Sequence, residues 1–222
     1  MAQAVNYFAW QRRLVAPELG RRLIEVGCGI GNFTRTLLDR ELVAAVDVDP
    51  ACIARLRERF PNQANLQAFV CEPGSEAFLR LARLEADSCV CLNVLEHIED
   101  DGRALLAMGA VLAPGGKIVL LVPAFQALYG PIDRKLGHWR RYDRRRLAAL
   151  AGGAGLEIRR LDYVNTIGFF GWWVNARVFR REAQSGGQIR FFDRWVVPWL
   201  SGLERVARPP FGQSVLAVLR KP

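Results

Sequence analysis

Histidine is almost missing from this chain: His97 and His138 are the only two. Lysine is nearly as scarce, with Lys117, Lys135 and Lys221 set against a large surplus of arginine. The five cysteines, Cys28, Cys52, Cys71, Cys89 and Cys91, include no Cys-x-x-Cys pair. So few imidazoles and no paired thiols argue against a metal centre and against a disulfide framework. Cys71, Cys89 and Cys91 fall in or beside strand-like runs and read as reduced core thiols. No apolar run approaches the ~20 residues of a membrane-spanning helix. No apolar stretch follows a charged start, as a secretory signal would require. The expectation is a cytoplasmic protein.

What the chain does have is 222 residues with 51% apolar content, enough for one α/β domain over residues 1–222. Its formal charge of +9 is uneven. Residues 1–111 carry 12 basic and 15 acidic side chains, and residues 112–222 carry 19 and 7. The second half is therefore suited to an anionic partner, or is a solvated basic surface.

The most specific segment is Glu25-Val26-Gly27-Cys28-Gly29-Ile30-Gly31. Before it, Arg22-Leu23-Ile24 reads as a buried strand. After it, Asn32 to about Arg40 reads as a helix. Strand, glycine turn, helix lets a backbone approach a nucleotide closely. A dinucleotide fingerprint wants its third glycine three residues after the second, and here it comes after two, with Asn32 in its place. Glu25, directly before the turn, would repel a pyrophosphate and suits a cationic ligand. A second apolar run, 42–46, ends at Asp47, 20 residues after Gly27, where a second strand presents a carboxylate to ribose hydroxyls. Asp49-Pro50 reads as a helix cap followed by proline at the first helical position.

The pattern E-V-G-C-G-I-G-N-F-T resembles motif I of the class I methyltransferases. "CLNVLEHIEDD" and "LAPGGKIVLLVPA" are similar to the fourth- and fifth-strand motifs of their small-molecule and lipid members. The resemblance covers residues 1–164 and 213–222. It implies a seven-stranded Rossmann-like sheet, mostly parallel with an antiparallel last strand, helices on both faces, and S-adenosylmethionine as cofactor. It implies that Glu25, Gly27, Gly29, Gly31 and Asp47 hold the cofactor, with Tyr7 and Trp10 of an N-terminal helix (residues 1–20) covering its methionine end. The third strand of such proteins usually ends in aspartate near the adenine; here Glu72 stands in its place, a weaker match.

Strands are expected near 22–26, 42–46, 65–71, 87–93, 117–122, 156–163 and 213–220, and helices near 50–60, 75–84, 100–112 and 143–151, the last stopped by Gly152-Gly153. Ligand chemistry belongs beyond the carboxyl ends of the strands. Asn93 closes strand four, where a polar residue must find a partner, and is assigned to the cofactor. His97 follows and is assigned to the acceptor, with a backbone-bonded helix start as the equal alternative. His138 is the first candidate for general base, since its reference pKa lies near working pH. Arg140 and Arg141 suit an anionic acceptor by charge-assisted bonds, beside Tyr142.

Residues 165–212 read as a helical insertion between strands six and seven, with helices expected over about 167–181 and 189–206. Their apolar residues surround the helices and demand burial: a lid or substrate wall, a dimer contact, or a peripheral membrane contact. The preferred reading is methyl transfer to a small-molecule or lipid-type acceptor. An RNA-directed enzyme and a non-catalytic cofactor-binding subunit are the alternatives. Against nucleic acid, Asn93-Val94-Leu95-Glu96 replaces the N/D-P-P-aromatic segment of base amino methylation, and no cysteine follows a proline or threonine.

Overall fold

The structure, a computed structural model, describes residues 5–173, 187, 192–197 and 209–222. Seven strands form one sheet: β1 (Arg22–Val26), β2 (Leu42–Asp47), β3 (Leu66–Val70), β4 (Ala86–Leu92), β5 (Leu112–Pro123), β6 (Glu157–Val164) and β7 (Ser214–Arg220). Their order is β3-β2-β1-β4-β5-β7-β6, with β7 antiparallel to both neighbours. The helices are α1 (Val5–Val15), α2 (Pro50–Arg59), α3 (Glu76–Leu79), α4 (Asp101–Ala110), α5 (Pro131–Lys135), α6 (Arg144–Gly153) and α7 (Thr166–Trp173). This is the Rossmann-like methyltransferase sheet that the sequence implies.

Alternation along the central strands divides two cores. Leu23, Val43, Val90, Val119 and Leu216 face Trp10 and Val15 of α1. Ile24, Ala44, Cys89, Ile118 and Ala217 face Leu105 and Met108 of α4 and Leu147 of α6. Both faces of β1, β2 and β4 are covered, so their sequences are almost continuously apolar. Cys89 and Cys91 are fully buried and unpaired, and burial pushes the Cys89 thiol up to about 12. They are core residues, as read from their strand positions.

Side-chain caps start the helices where expected. Asp49 accepts from Ala51 N–H at 2.8 Å, Asp100 from Arg103 N–H at 2.9 Å, and Asp143 from Arg146 N–H at 2.7 Å. Two local expectations differ. No α-helix follows Gly31: the segment turns irregularly, with a single tight turn at Thr34–Thr36. Two β-branched threonines weaken the helix, and Asn65 Nδ2 holds the Leu38 and Arg40 carbonyls in a non-helical path at 3.0 and 2.7 Å. Helix α6 runs through Gly152-Gly153 and stops only at Ala154, where Gly155 takes φ +67.

Of the two expected helices in the segment 165–212, α7, a wide helical turn at Phe192–Val196 and the buried Val197 after it are described, and the rest lies outside the described residues. That turn packs on α1. Asp193 accepts from Tyr7 N–H at 2.8 Å and Asn6 N–H at 3.3 Å, capping the start of α1. No helix among the described residues is long and apolar enough to cross a membrane.

Candidate active site and cofactor cleft

The carboxyl ends of β1, β2, β3 and β4 open onto a cleft of about 1040 Å³, at the upper end of the ~300–1,000 Å³ common for ligand pockets. Its wall includes Gly27, Asp47, Glu72, Asn93, His97 and Trp139. After β1 the chain turns sharply, and Gly27 and Cys28 both donate to the Val46 carbonyl, at 2.8 and 3.0 Å. Gly27 has φ +77, and a Cβ there would overlap the Val94 side chain. Gly29 has φ +52, and a Cβ there would meet nothing within 4 Å among the described residues. Gly27 is thus bare because protein fills the space, and Gly29 because space is left for something else. Gly31 is buried under Phe60 and Leu56 of the α2 side, away from the opening.

Asp47 sits where β2 ends. Its Oδ2 accepts from Gly29 N–H at 2.8 Å and its Oδ1 from Asp49 N–H at 3.0 Å. Each oxygen keeps a further lone pair for a ligand hydroxyl. Glu72, just beyond β3, is exposed on the opposite wall.

Glu25 is 4% exposed, and among the described residues its Oε2 has no hydrogen-bond partner. The buried Thr34 side chain lies beside this carboxyl. Burial, with the Asp47 charge adding to it, pushes the Glu25 carboxyl up to about 8. The folded chain keeps a proton that the unfolded chain releases from its ordinary value of 4.5 upward. Stability therefore falls as pH rises from 4.5 to about 8. Glu25→Gln cannot ionise, so it should flatten this part of the slope and melt above the parent at alkaline pH, while binding a cationic ligand less tightly. Melting curves across that window check this; a parent and variant that run parallel would sink it.

The sequence assigned Tyr7, Trp10 and Asn93 to the cofactor, and the structure separates them. Tyr7 bonds to the Asn93 side chain, and burial pushes its hydroxyl up to about 12. Asn93 lines the cleft with φ +54, its N–H donating to Leu121 at 2.7 Å. Trp10, 1% exposed, lies inside the core behind them. It is the packing residue that supports Tyr7, with ring centroids 5.3 Å apart.

On the other wall, four residues assigned to the acceptor divide the same way. His97 lines the cleft, and its ring stands edge-on to His138 with centroids 4.6 Å apart. Burial first, and then His138, hold His97 below its ordinary pKa. His138 Nδ1 meets Asp133 Oδ1 at 2.8 Å. Arg141 does not reach an acceptor: it is buried, with Nε and Nη2 on Asp133 at 2.9 and 3.1 Å and its guanidinium over Trp172. Arg140 pairs with Asp101 at 3.0 Å and donates to the Glu99 carbonyl at 2.7 Å. Tyr142 is fully buried, its hydroxyl 3.0 Å from Asp101 Oδ2. These three brace the loop: the donors of Arg140 and Tyr142 go to Asp101 and nearby carbonyls about 40 positions away, and those of Arg141 to Asp133, eight positions back. Two residues given no site role lie within this cluster: Asp133, which meets His138 Nδ1, and Glu96, buried beside both histidines. Glu96 shares a dipeptide with His97, a signal present in the sequence, whereas nothing local marks Asp133. Both of the chain's imidazoles stand together with Glu96.

A methyltransferase-domain family model matches residues 2–161. The chain belongs to the class I S-adenosylmethionine-dependent methyltransferases. It is 28% identical over 192 residues to a protein of Mycolicibacterium smegmatis named a probable S-adenosylmethionine-dependent methyltransferase, covering 83% of this chain and 69% of that one. It is 26% identical over 168 residues to the ubiquinone biosynthesis O-methyltransferase of Ralstonia nicotianae, covering 67% and 69%. Its fold is similar to that of the N-methyltransferase NodS from Bradyrhizobium japonicum, solved with S-adenosyl-L-homocysteine: TM-score 0.59, 19% identity, 96% of this chain and 84% of that one. The chain spans between 27% and 69% of the length of the curated relatives it matches.

The methyltransferase cofactor, S-adenosylmethionine, fits what the cleft offers. Gly29 leaves open space, Asp47 keeps lone pairs for ribose, and the unpartnered Glu25 oxygen suits a cationic group.

Proposed function

We propose that this methyltransferase acts on a small-molecule or lipid-type acceptor, anionic in character, with His138 taking the acceptor's proton. Bound S-adenosylmethionine supplies an electrophilic methyl group on a sulfonium that leaves as a neutral thioether. The chain's own part is to align the acceptor with that methyl group and to remove a proton. The observation that carries the reading is the Asp133–His138–His97 series, which runs from a fully buried carboxylate to a ring on the cleft wall. Asp133 fixes the tautomer at Nδ1, leaving Nε2 as the acceptor nitrogen. The Ralstonia relative, named for O-methylation in ubiquinone biosynthesis, supports a lipid-type acceptor. The basic second half supports an anionic one, met by arginines other than Arg140 and Arg141. The exposure of Phe170, Trp173 and Trp195 supports peripheral contact with a membrane.

The test has two arms. Isothermal titration with S-adenosylmethionine should show binding in the parent and a loss in Asp47→Ala. Each charged hydrogen bond to ribose is worth about 1.5–3 kcal/mol, or about 10- to 100-fold in affinity. Equal affinity would remove Asp47 from the cofactor site. The second arm offers the pure chain extracted lipids and metabolites with labelled cofactor. Cofactor binding with no labelled product in either pool would favour a non-catalytic binding subunit instead.

A further inference from the structure

Glu96, His97 and His138 each bring one ligand atom within 4.8 Å of the other two. Ligand atoms about 2.0–2.2 Å from a shared ion stand at most about 4.4 Å apart, so a slight contraction would seat one. Glu96 is 1% exposed, and among the described residues its Oε2 has no partner. A buried carboxylate oxygen left without a donor is costly, and a cation is one way to satisfy it. His138 is held from behind by Asp133, the carboxylate–histidine arrangement that orients metal-ligating imidazoles. The His97 ring is held by hydrogen bonds to the backbone of Gly137 and Leu136. The Trp139 N–H donates to the Glu96 carbonyl at 2.8 Å and locks the two ligand-bearing loops together.

We propose that Glu96, His97 and His138 bind a divalent transition-metal ion at the edge of the cofactor cleft. Two imidazoles and one carboxylate suit zinc and its first-row neighbours, whereas calcium and magnesium call for more oxygen ligands. Three protein ligands leave coordination positions open on the side of His97, which lines the cleft. The role of the ion rests on the methyl-transfer reading: a hydroxyl oxygen of the acceptor would bind it there and ionise at lower pH. In the ion-free chain His138 Nε2 is open to take the acceptor's proton, as proposed above; with the ion seated the same nitrogen is its ligand and the ion lowers the pKa of the acceptor oxygen. The acceptor class this selects is one that presents an oxygen able to coordinate the ion.

The experiment uses the whole chain, stripped with EDTA and titrated with Zn²⁺ by calorimetry, then with Co²⁺ by visible absorption. Saturable binding to a single site is expected. His97 is exposed, so His97→Ala should remain folded and weaken Zn²⁺ binding by at least the roughly 10- to 100-fold that lesser, outer-shell changes cost. Glu96→Gln should do the same, with its melting curve recorded to show that it folds. No saturable binding in the parent, or undiminished affinity in His97→Ala, overturns the proposal. Labelled methyl transfer by stripped and reloaded protein separates the two readings. Zn²⁺ binding without methylation of any acceptor leaves the ion site standing and removes the methyl-transfer reading. Methylation by a chain that takes up no Zn²⁺ does the reverse.

Discussion

Replacing Asp133 by alanine should cost the protein about 3–5 kcal/mol of stability, because it strands a buried charge. Both Asp133 oxygens are fully used: Oδ1 accepts from His138 Nδ1 and Arg141 Nε, and Oδ2 from the Gly130 N–H and Arg141 Nη2. The side chains of Asp133 and Arg141 are 0% and 1% exposed. Burial alone would raise the Asp133 carboxyl, yet His138 and Arg141 hold it below its ordinary value. Once the carboxylate is gone, the Arg141 guanidinium keeps the Ala124 carbonyl at 3.2 Å and the face of Trp172, with Glu96 as the remaining nearby acid among the described residues. For a domain of this size the loss corresponds to a fall in melting temperature on the order of 10 °C. The double variant Asp133→Leu with Arg141→Met should recover most of it, since an apolar pair of similar volume substitutes well for a buried ion pair. It should not recover activity, because His138 then lacks the group that sets its tautomer. A single variant that melts with the parent would show that Arg141 reaches solvent or another anion, and the loop would need rebuilding.

Gly27 and Gly29 should respond differently to alanine, although they lie two residues apart in one motif. A methyl group on Gly27 overlaps Val94, and the residue is pinned at φ +77 by the Val46 carbonyl. A left-handed conformation costs a non-glycine residue about 1–2 kcal/mol before any overlap is counted. Gly27→Ala should therefore lose both stability and cofactor binding. Gly29→Ala meets no protein atom within 4 Å among the described residues. It pays only the modest backbone cost of φ +52, so its melting temperature should stay within a few degrees of the parent. Its cofactor affinity should fall about 100-fold or more, on the scale of a lost charged hydrogen bond plus a filled contact. Calorimetry with S-adenosylmethionine and melting curves on both variants would decide. Equal losses of stability, or undiminished binding by Gly29→Ala, would show that the open space at Gly29 is not where the ligand lies.

Features set by neighbours in sequence were legible without a structure. The apolar runs of β1, β2, β4 and β5, the turn glycines, Asp47 at its strand end and the Asp49 and Asp143 caps all depend on contacts within a few residues. Propensity and periodicity carry such information, and the resemblance to methyltransferase motifs rests on the same segments. The failures share a different property. The segment after Gly31 makes no α-helix, and Asn65, just before β3, holds the Leu38 and Arg40 carbonyls at its end. Arg140, Arg141 and Tyr142 look like an exposed basic clamp in sequence, and Asp101 and Asp133 turn them inward. Trp10 looks like a cofactor cover and is core.

By itself, then, the chain's sequence determined the sheet, the glycine turn after β1 and the carboxylate at the end of β2, because strand burial and turn chemistry are written locally. Only the tertiary structure decided which of these charges are consumed in holding the loop. That choice depends on where Asp101, distant in sequence, and Asp133, in the same loop region, come to lie, and on the desolvation of the groups around them. The meeting of Glu96, His97 and His138 is decided there too: β4 and β5 run side by side, so the loops beyond their carboxyl ends bring together residues about 40 positions apart.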